Sequence, residues 1–397
     1  MNNVPEIRFK GFEGAWEQRK LGEHSLLITK GTTPVNKSGA GDINFVKVEN
    51  ISEGKIYPVQ KITNDEHENY LKRSKLCEHD ILFSIAGTLG RTALVDKSIL
   101  PANTNQALAI IRGYDFDTNF LLTALVGRVV GEFIKRNPTI GAQPNLSLEQ
   151  VGSLTIWAPS FPEQAAIGNF FRTLDETLTL CKRKLDGLKE LKRGYLQQMF
   201  PQTGESVPRV RFAGFEGAWE QKQISDLFTE RSERSSEGEL ISVTISSGVV
   251  KASSLERKDN SSKDKSNYKR VEVGDIAYNS MRMWQGASGV SDYSGILSPA
   301  YTVIIPMAGA CSVFFSYMFK LERMIQVFQS SSQGLTSDTW NLKFPLLKNI
   351  IVTVPCYEEQ TAIGTFFLNL DEQITAWQNK WDKLKQLKAA YLQRMFV

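Results

Sequence analysis

Apolar residues recur at alternating spacings of three and four positions in two long segments of the chain. In residues 163–200 this a/d heptad series runs from Ile167 to Met199, and residues 359–396 repeat it, with mostly charged residues between the apolar ones. The pattern predicts two helices of about 38 residues, roughly 57 Å each at 1.5 Å per residue. Neither helix can bury its stripe alone, so we expect them to pack on each other.

The connection between the helices sets their expected direction. Only the short linker PQTGES separates the first helix from the globular segment that follows it. The second helix begins after that segment and must run back along the first one. The sequence therefore predicts an antiparallel coiled coil with one globular domain at each end.

The helices belong to a larger internal repeat. Residues 4–23, VPEIRFKGFEGAWEQRKLGE, match residues 207–226, VPRVRFAGFEGAWEQKQISD, at an offset of 203 positions. Residues 159–200 match residues 355–396 at an offset of 196 positions, through EQAAIGNFF and EQTAIGTFF, LDE in both, and GYLQQMF and AYLQRMF. The segments between these blocks diverge. The chain is therefore expected to be a tandem of two halves with similar frames and different inserts.

The divergent segments have a mixed α/β pattern. In the first half, the sequence predicts strands at 43–48, 80–85, 107–111 and 154–157 and a helix at 118–136. In the second half, it predicts strands at 271–278, 301–305 and 350–354 and a helix near 313–328. The expected domains are 1–157 and 201–353, and the expected helical segments are 158–200 and 354–397.

Composition places the chain among folded proteins of ordinary type. Its 397 residues are 41% hydrophobic and 23% charged, which excludes wholesale disorder. The net charge of +4 gives only a mild indication of a polyanionic partner. No apolar run is long enough for a membrane span, and MNNVPEIRFK lacks the apolar core of a secretion signal. Four cysteines without CxxC spacing favour reduced thiols and a cytoplasmic location.

Motifs for catalysis are missing from the sequence. It has no GxxxxGK[ST], no HExxH and no [ND]PP[YF] loop, and its only histidines are His24, His67 and His79. Glu53-Gly54-Lys55 behind Asp42 fits a nuclease pattern loosely, but a surface turn explains so short a triplet better. These observations favour a binding scaffold with no metal site and no active site of its own.

The repeated blocks together resemble a known protein family. Their order is VPxxRFxGFxGxWEQ, a variable stretch ending in QPNLSL, a strand closing on APSFPEQ, and a long helix with AIxxFFxxLDE and YLQQMF, and this order occurs twice. It closely resembles the specificity subunit of type I restriction-modification systems over essentially the whole chain. The resemblance implies two α/β target recognition domains joined by two long antiparallel coiled-coil helices, pseudo-two-fold symmetric. Each domain would read one half of a bipartite DNA target.

The resemblance also implies partners. Besides double-stranded DNA, two modification subunits that carry S-adenosylmethionine and methylate adenine would dock on the scaffold, and restriction subunits that use ATP and Mg would join them. The chain itself would be a non-catalytic subunit that binds no cofactor. Helices about 57 Å long would suit half-sites separated by under roughly 17 base pairs, since B-DNA rises 3.4 Å per pair.

Candidate DNA-contacting residues are polar and basic side chains in turn-rich loops, because base edges are read by hydrogen bonds and phosphates by Lys or Arg. In the first domain they are Lys30, Thr32, Thr33, Ser84, Thr88, Arg91, Asn103, Gln106, Gln143 and Asn145. In the second domain they are Asn279, Arg282, Trp284, Gln285, Ser298, Tyr301, Gln333, Thr336 and Ser337. The loops around Gly87 and Arg282 stand out because they occupy equivalent places. The alternative for each residue is a turn side chain that bonds its own backbone.

Two other functions are consistent with the residues alone. The chain could be a two-headed protein-interaction scaffold without DNA specificity, or a self-contained nuclease or methyltransferase, against which the missing motifs argue. The repeated Trp16 and Trp219 could stack on bases. Because they lie in a segment copied between domains of different specificity, packing against a helix end is the favoured interpretation.

Overall fold

The computed structural model of the chain describes residues 3–35, 39–52, 54–58, 60–136, 145–256, 261–337 and 339–397. The chain divides into two compact units. The first consists of Met1–Lys182 together with Asn379–Val397, and the second of Arg183–Gln378. The first unit is therefore built from two separate stretches of chain, whereas the second is continuous.

The first unit is a mixed α/β structure. Its strands are β1 (Glu17–Lys20), β2 (Ser25–Lys30), β3 (Ile43–Val46), β4 (Ile51–Ser52), β5 (Lys55–Ile56), β6 (Gln60–Ile62), β7 (Ile81–Ser84), β8 (Thr92–Leu94), β9 (Ala102–Thr104), β10 (Leu108–Tyr114) and β11 (Thr155–Ala158). Its helices are α1 (Thr118–Leu125), α2 (Arg128–Arg136), α3 (Leu148–Gly152) and the first part of α4 (Phe161–Gln198).

The second unit has the same kind of composition. Its strands are β12 (Glu220–Gln223), β13 (Phe228–Glu230), β14 (Ile241–Thr244), β15 (Gly248–Lys251), β16 (Lys269–Val271), β17 (Ile276–Asn279), β18 (Ser288–Val290), β19 (Gly295–Leu297), β20 (Tyr301–Pro306) and β21 (Ile351–Val354). Its own helices are α5 (Ser312–Met318), α6 (Glu322–Ser331) and α7 (Phe344–Leu347). The last helix, α8 (Tyr357–Arg394), begins in this unit and ends in the first.

Both units contain the same principal sheets. The first unit has a sheet in the order β2-β10-β7-β8 and a ribbon β1-β11, and the second has β13-β20-β17-β18 and β12-β21. All neighbours in these sheets are antiparallel. The repeat seen in the flanking blocks thus continues through the divergent segments as topology, although their residues differ.

The largest core of the first unit lies between its sheet and its helices. Ile81, Phe83 and Ile111 of the sheet share one buried cluster with Phe120 of α1 and Phe171 of α4. The alternate residues of the same strands face the other side, where they form a second cluster with β3 and β9. The corresponding cluster of the second unit includes Ile276, Tyr278, Ile304, Phe314 and Phe367.

Three predicted elements differ from the structure. The helix predicted at 118–136 is interrupted between α1 and α2 at Val126 and Gly127, and glycine is a poor helix former. The helix predicted near 313–328 is likewise two helices, α5 and α6. The strand predicted at 271–278 is two strands in different sheets, because Gly274 turns the chain with a φ of 91°.

The two long helices agree with the heptad prediction, since α4 and α8 each contain 38 residues. In the first unit, the rings of Phe170 and Tyr391 are 5.1 Å apart. Five residues later on α4, Asp175 bonds Lys388, which lies earlier on α8. In the second unit, Lys192 contacts Asp371, and Tyr195, later on α4, contacts Phe366, earlier on α8. The helices are therefore antiparallel within each unit.

These ion pairs explain why both copies of the repeat keep a lysine in the apolar stripe and an LDE motif. The lysine retained at one d position in both copies is Lys192 in α4 and Lys388 in α8, and each bonds the aspartate of an LDE motif on the other helix. Lys192 Nζ lies 2.5 and 2.7 Å from the two carboxylate oxygens of Asp371, which also accepts a bond from Tyr317. A charge in the apolar stripe thus has a partner that fixes the register.

The arginine of each repeated RF pair bonds the long helix that begins in its unit. Arg8 donates from Nε and Nη2 to both carboxylate oxygens of Glu163, at 2.7 and 2.6 Å, and Arg211 bonds Glu359 in the same bidentate way. Trp16 and Trp219 are buried and contact phenylalanine rings. The packing interpretation of these tryptophans is therefore confirmed.

Candidate nucleic-acid interface

Most of the candidate residues in the first unit lie at one end of the sheet β2-β10-β7-β8. In the strand registers, Lys30 pairs with Ala109 and Ser84 pairs with Leu108, so β2 and β7 end where β10 begins. The loop that follows β2 is held against the end of β9 by a 3.0 Å bond from Thr32 N to Thr104 O. The loops after β2, β7 and β9, which are far apart in sequence, therefore converge.

The convergence includes the segment that ends the variable region. Leu146 N donates to Ile85 O at 2.8 Å, which places Asn145 beside Ala86 and the glycine-flanked loop after β7. Gly31 is buried where a Cβ would lie 2.1 Å from Thr104 O, so this loop can pass so close only as glycine. Gln143 lies outside the described residues.

Seven of the candidates present polar groups at this end. All but the half-buried Thr32 are exposed: Lys30, Thr33, Thr88, Arg91, Gln106 and Asn145. The Thr33 hydroxyl bonds the side-chain oxygen of Gln106, and the Arg91 guanidinium lies 3.3 Å from Ile51 O. The surface therefore combines two cations with amide and hydroxyl groups, the side chains used to contact phosphates and base edges.

Ser84 and Asn103 are fully buried instead. The Ser84 hydroxyl donates to Thr88 O at 2.6 Å and accepts from Arg91 N at 2.7 Å, which closes the loop after β7. The Asn103 amide donates to Leu71 O at 2.8 Å, and its oxygen lies 2.5 Å from His67 Nδ1. Both side chains hold the loops in place and have no exposed surface for a ligand.

The second unit gathers its candidates at the corresponding end of its sheet. Asn279, which ends β17, pairs with Tyr301, which begins β20, and Tyr301 N donates to Ser298 O at 3.0 Å. Leu342 N donates to Ser280 O at 2.8 Å. This bond brings residues 333–337 and 339–341 next to the loop after β17.

Two tryptophans join these loops. Trp284 and Trp340 meet edge to face, with ring centroids 5.1 Å apart, and Trp284 Nε1 donates to Met281 O. Arg282 is exposed, and its guanidinium donates to the half-buried Gln285. Gln333, Thr336 and Ser337 are exposed on the neighbouring loop, whereas Asn279, Ser298 and Tyr301 are half-buried.

A cavity of about 420 Å³ lies among these loops. Its lining includes Ser280 and Met281 after β17, Pro299 and Ala300 before β20, and the side chains Glu230, Lys269, Asn341 and Lys343. Lys269 and Glu230 form an ion pair at 3.2 Å. The recess thus offers a carboxylate, ammonium groups and an amide within one concave surface.

Asn341 and Lys343 were not among the sequence candidates. Asn341 lies 196 positions after Asn145, the offset of the second repeat, and both precede a buried leucine whose backbone N–H bonds the loop after β7 or β17. The Asn-Leu pair shared by QPNLSL and TWNLKF was the signal that could have identified it. Lys343 is exposed beside it.

Other kinds of site are not found in the described ranges. No group of three or more His, Cys, Asp or Glu residues in these ranges could hold a metal ion. Among the helices of the described residues, none is long and apolar enough to span a bilayer.

Comparisons with known proteins found matches to one family model and to solved structures. Residues 13–190 match the model of the type I restriction modification DNA specificity domain. The fold matches the S subunit of a type I restriction-modification system from M. genitalium, with a TM-score of 0.65, 16% identity and 99% of each chain covered. It also matches a chain from a study of complex assembly in the type I R-M system, with a TM-score of 0.50, 16% identity and 97% and 98% coverage. No curated protein sequence matches the chain.

Proposed function

We propose, from the match of residues 13–190 to the type I restriction modification DNA specificity domain, that the chain belongs to this family and directs a methylating and restricting complex to a bipartite DNA target. Specificity subunits recognise DNA and are not catalytic, so the chemistry belongs to partner subunits. The heads, 1–157 and 201–353, are the proposed target recognition domains. The segments 158–200 and 354–397 are the proposed spacer helices, which would set the distance between the two half-sites.

One observation carries the proposal. In each unit, loops from separate parts of the chain converge at the same end of a sheet of the same topology, while the residues in those loops differ. A fixed frame with variable polar loops is the arrangement expected of two readers for two different sequences. A single binding function would not require two such surfaces.

The residues at these ends have distinct proposed roles. Lys30, Arg91, Arg282 and Lys343 provide positive charge for phosphates or guanine, because Lys and Arg are the usual partners of both. Gln106, Asn145, Gln285, Gln333 and Asn341 supply amides for base edges. The remaining proposed contacts are Thr32, Thr33, Thr88, Asn279, Trp284, Ser298, Tyr301, Thr336 and Ser337.

The proposed partners are those that the family resemblance implies. Two copies of the same frame can present the same docking surface twice, which supports two modification subunits that carry S-adenosylmethionine and methylate adenine. Restriction subunits that use ATP and Mg complete the proposed complex, and the chain itself holds no cofactor. All four cysteines are free thiols, in keeping with the proposed action in the cytoplasm.

Exchange of one head tests the proposal. Residues 24–157 are replaced by the matching segment of a relative with another target, and the chain is expressed with its modification subunit for methylome sequencing. One half of the methylated motif should change, while the other half and the spacer stay the same. A change of the whole motif would show that the heads do not read independently.

Salt dependence separates DNA recognition from a protein-interaction scaffold. Phosphate contacts release counterions, so duplex binding should weaken steeply as salt increases. A scaffold without DNA specificity would show neither this dependence nor a preference for the methylated motif.

A further inference from the structure

Each head is seated on its long helix by residues at the same positions of the repeat. On α4 these are Gln164 and, one turn later, Gly168, and on α8 they are Gln360 and Gly364. Both glutamines are 1% exposed. The parts of the heads that meet them come from the divergent segments, so their common geometry is not a consequence of similar sequence.

In the first unit, the start of α1 contacts Gln164 and Gly168. Gln164 Oε1 accepts a 3.1 Å bond from Asp117 N, and its Nε2 donates to Pro159 O at 2.9 Å. A Cβ on Gly168 would lie 2.5 Å from Asp117 Oδ1 and 2.6 Å from Phe120 N. Gln164 therefore holds the beginning of α1 by one hydrogen bond, and Gly168 lets α1 approach α4 closely because it has no side chain.

In the second unit, the start of α5 is held in the same way. Gln360 Oε1 accepts a 3.0 Å bond from Cys311 N, and its Nε2 donates to Pro355 O at 2.9 Å. A Cβ on Gly364 would lie 3.1 Å from Phe314 N. Asp117 and Phe120 thus correspond to Cys311 and Phe314 at the same spacing of three residues.

The aromatic residues around the seats also correspond. The Phe120 ring stacks on Phe396 at 5.4 Å, and the Phe314 ring stacks on Phe200 at 5.3 Å. Each of the two head phenylalanines also meets a tryptophan of the repeated block. The two heads differ in their proposed DNA-reading loops, but they pack against their long helices in the same way.

We propose that Gln164 with Gly168, and Gln360 with Gly364, are positioning residues that set where each head presents its loops along the DNA, independently of the bases it reads. This inference rests on the proposed bipartite recognition. A head that shifts on its own helix would keep its reading loops intact but present them at a different place. The complex would then prefer a different spacer length between the half-sites, while it would still recognise the same half-site sequences.

The size of the shift can be worked from the contacts. Ordinary van der Waals contact begins at 3.4 Å, so Gly168→Ala requires the start of α1 to move by about 1 Å, a third of the 3.4 Å rise per base pair. Gly364→Ala requires only a few tenths of an ångström. The first variant should therefore change spacer preference more than the second.

The test uses the full chain assembled with its modification subunits. Methylation is measured on duplexes that carry both half-sites with the cognate spacer or with one or two base pairs more or fewer. Gly168→Ala should change the ratio of methylation on cognate to altered spacers by about tenfold. A tenfold change corresponds to about 1.4 kcal/mol, which lies within the usual cost of overpacking a core. The half-site sequences should stay the same, and Gly364→Ala should give a smaller change in the same assay.

Gly187→Ala is the matched control, because a Cβ at Gly187 of the same helix meets nothing within 4 Å. Its spacer preference should equal that of the unmodified chain. Unchanged spacer ratios in both test variants would overturn the positioning role, and so would an equal loss of methylation at every spacer in both, which would indicate a role in stability alone. If the unmodified chain showed no spacer-dependent methylation, the proposed bipartite recognition itself would fail.

Discussion

Replacement of Arg8 by methionine should destabilise the first unit by about 3–5 kcal/mol, because it leaves a buried carboxylate without its partner. Glu163 is 1% exposed, and both of its oxygens bond the Arg8 guanidinium. This bonding also raises the pKa of Arg8, so the arginine stays charged at any ordinary pH. Methionine preserves much of the apolar volume, so the loss is chiefly electrostatic.

The effect has to be measured unit by unit, since two units need not unfold together. Hydrogen exchange of backbone amides, measured on peptides from each unit, gives the free energy of opening for each unit separately. Peptides from the first unit should lose about 3–5 kcal/mol of protection in Arg8→Met. Peptides from the second unit, where Arg211 bonds Glu359, serve as the internal reference.

A double variant isolates the charge. Arg8→Met combined with Glu163→Gln should recover about 2–3 kcal/mol of the loss, because no buried charge remains. Arg209→Met is the matched control, since Arg209 and Glu205 form an exposed pair at 3.7 Å, and it should cost less than about 1 kcal/mol. A loss under about 1 kcal/mol in Arg8→Met, or a loss in the double variant as large as in Arg8→Met alone, would refute this reasoning.

Four further predictions distinguish residues that contact DNA from residues that support the fold or set the spacer. Asn103→Ala should destabilise the first unit by about 1–3 kcal/mol without changing the methylated motif, whereas Gln106→Ala should relax one base position at little cost in stability. Methylome sequencing and thermal unfolding check both. Lys343→Ala should reduce the slope of log affinity against log salt by about one, as one lost phosphate contact would. Inserting one heptad into both α4 and α8 should widen the spacer by about three base pairs, and an unchanged spacer would show that the helices are not the ruler.

The sequence predicted the long helices because their signal is local and repeated. A 3.5-residue period over 38 residues leaves little doubt about element type. The lysine at the shared d position was visible, but its partner was not, since Lys192 and Asp371 are far apart in sequence and meet only in one antiparallel register. Pairings of this kind depend on the fold and not on any local pattern.

The sequence selected loops that the structure brings together at each sheet end, but it did not separate their buried side chains from their exposed ones. Serine, asparagine and glutamine occur both in turns and in binding surfaces, so Ser84 and Asn103 could not be distinguished from Gln106 by type. Burial distinguishes them, and burial is a property of the assembled sheet. Asn341 was missed although its Asn-Leu pair repeats that of Asn145, because the repeat was followed only through its longer blocks.

The division of the first unit between two stretches of chain has a consequence for synthesis. Trp16 and Phe120 are covered by Phe396, and Ile7 N bonds Arg394 O, so part of this core consists of residues that the ribosome adds only after the whole second unit. The second unit is continuous and can close its core earlier, although it is encoded later. At roughly 5–20 residues per second, the first head waits some tens of seconds with aromatic surface uncovered. The unit begun first is thus completed after the other, and a nascent chain stopped at Gln378 would carry a complete second unit and an incomplete first one.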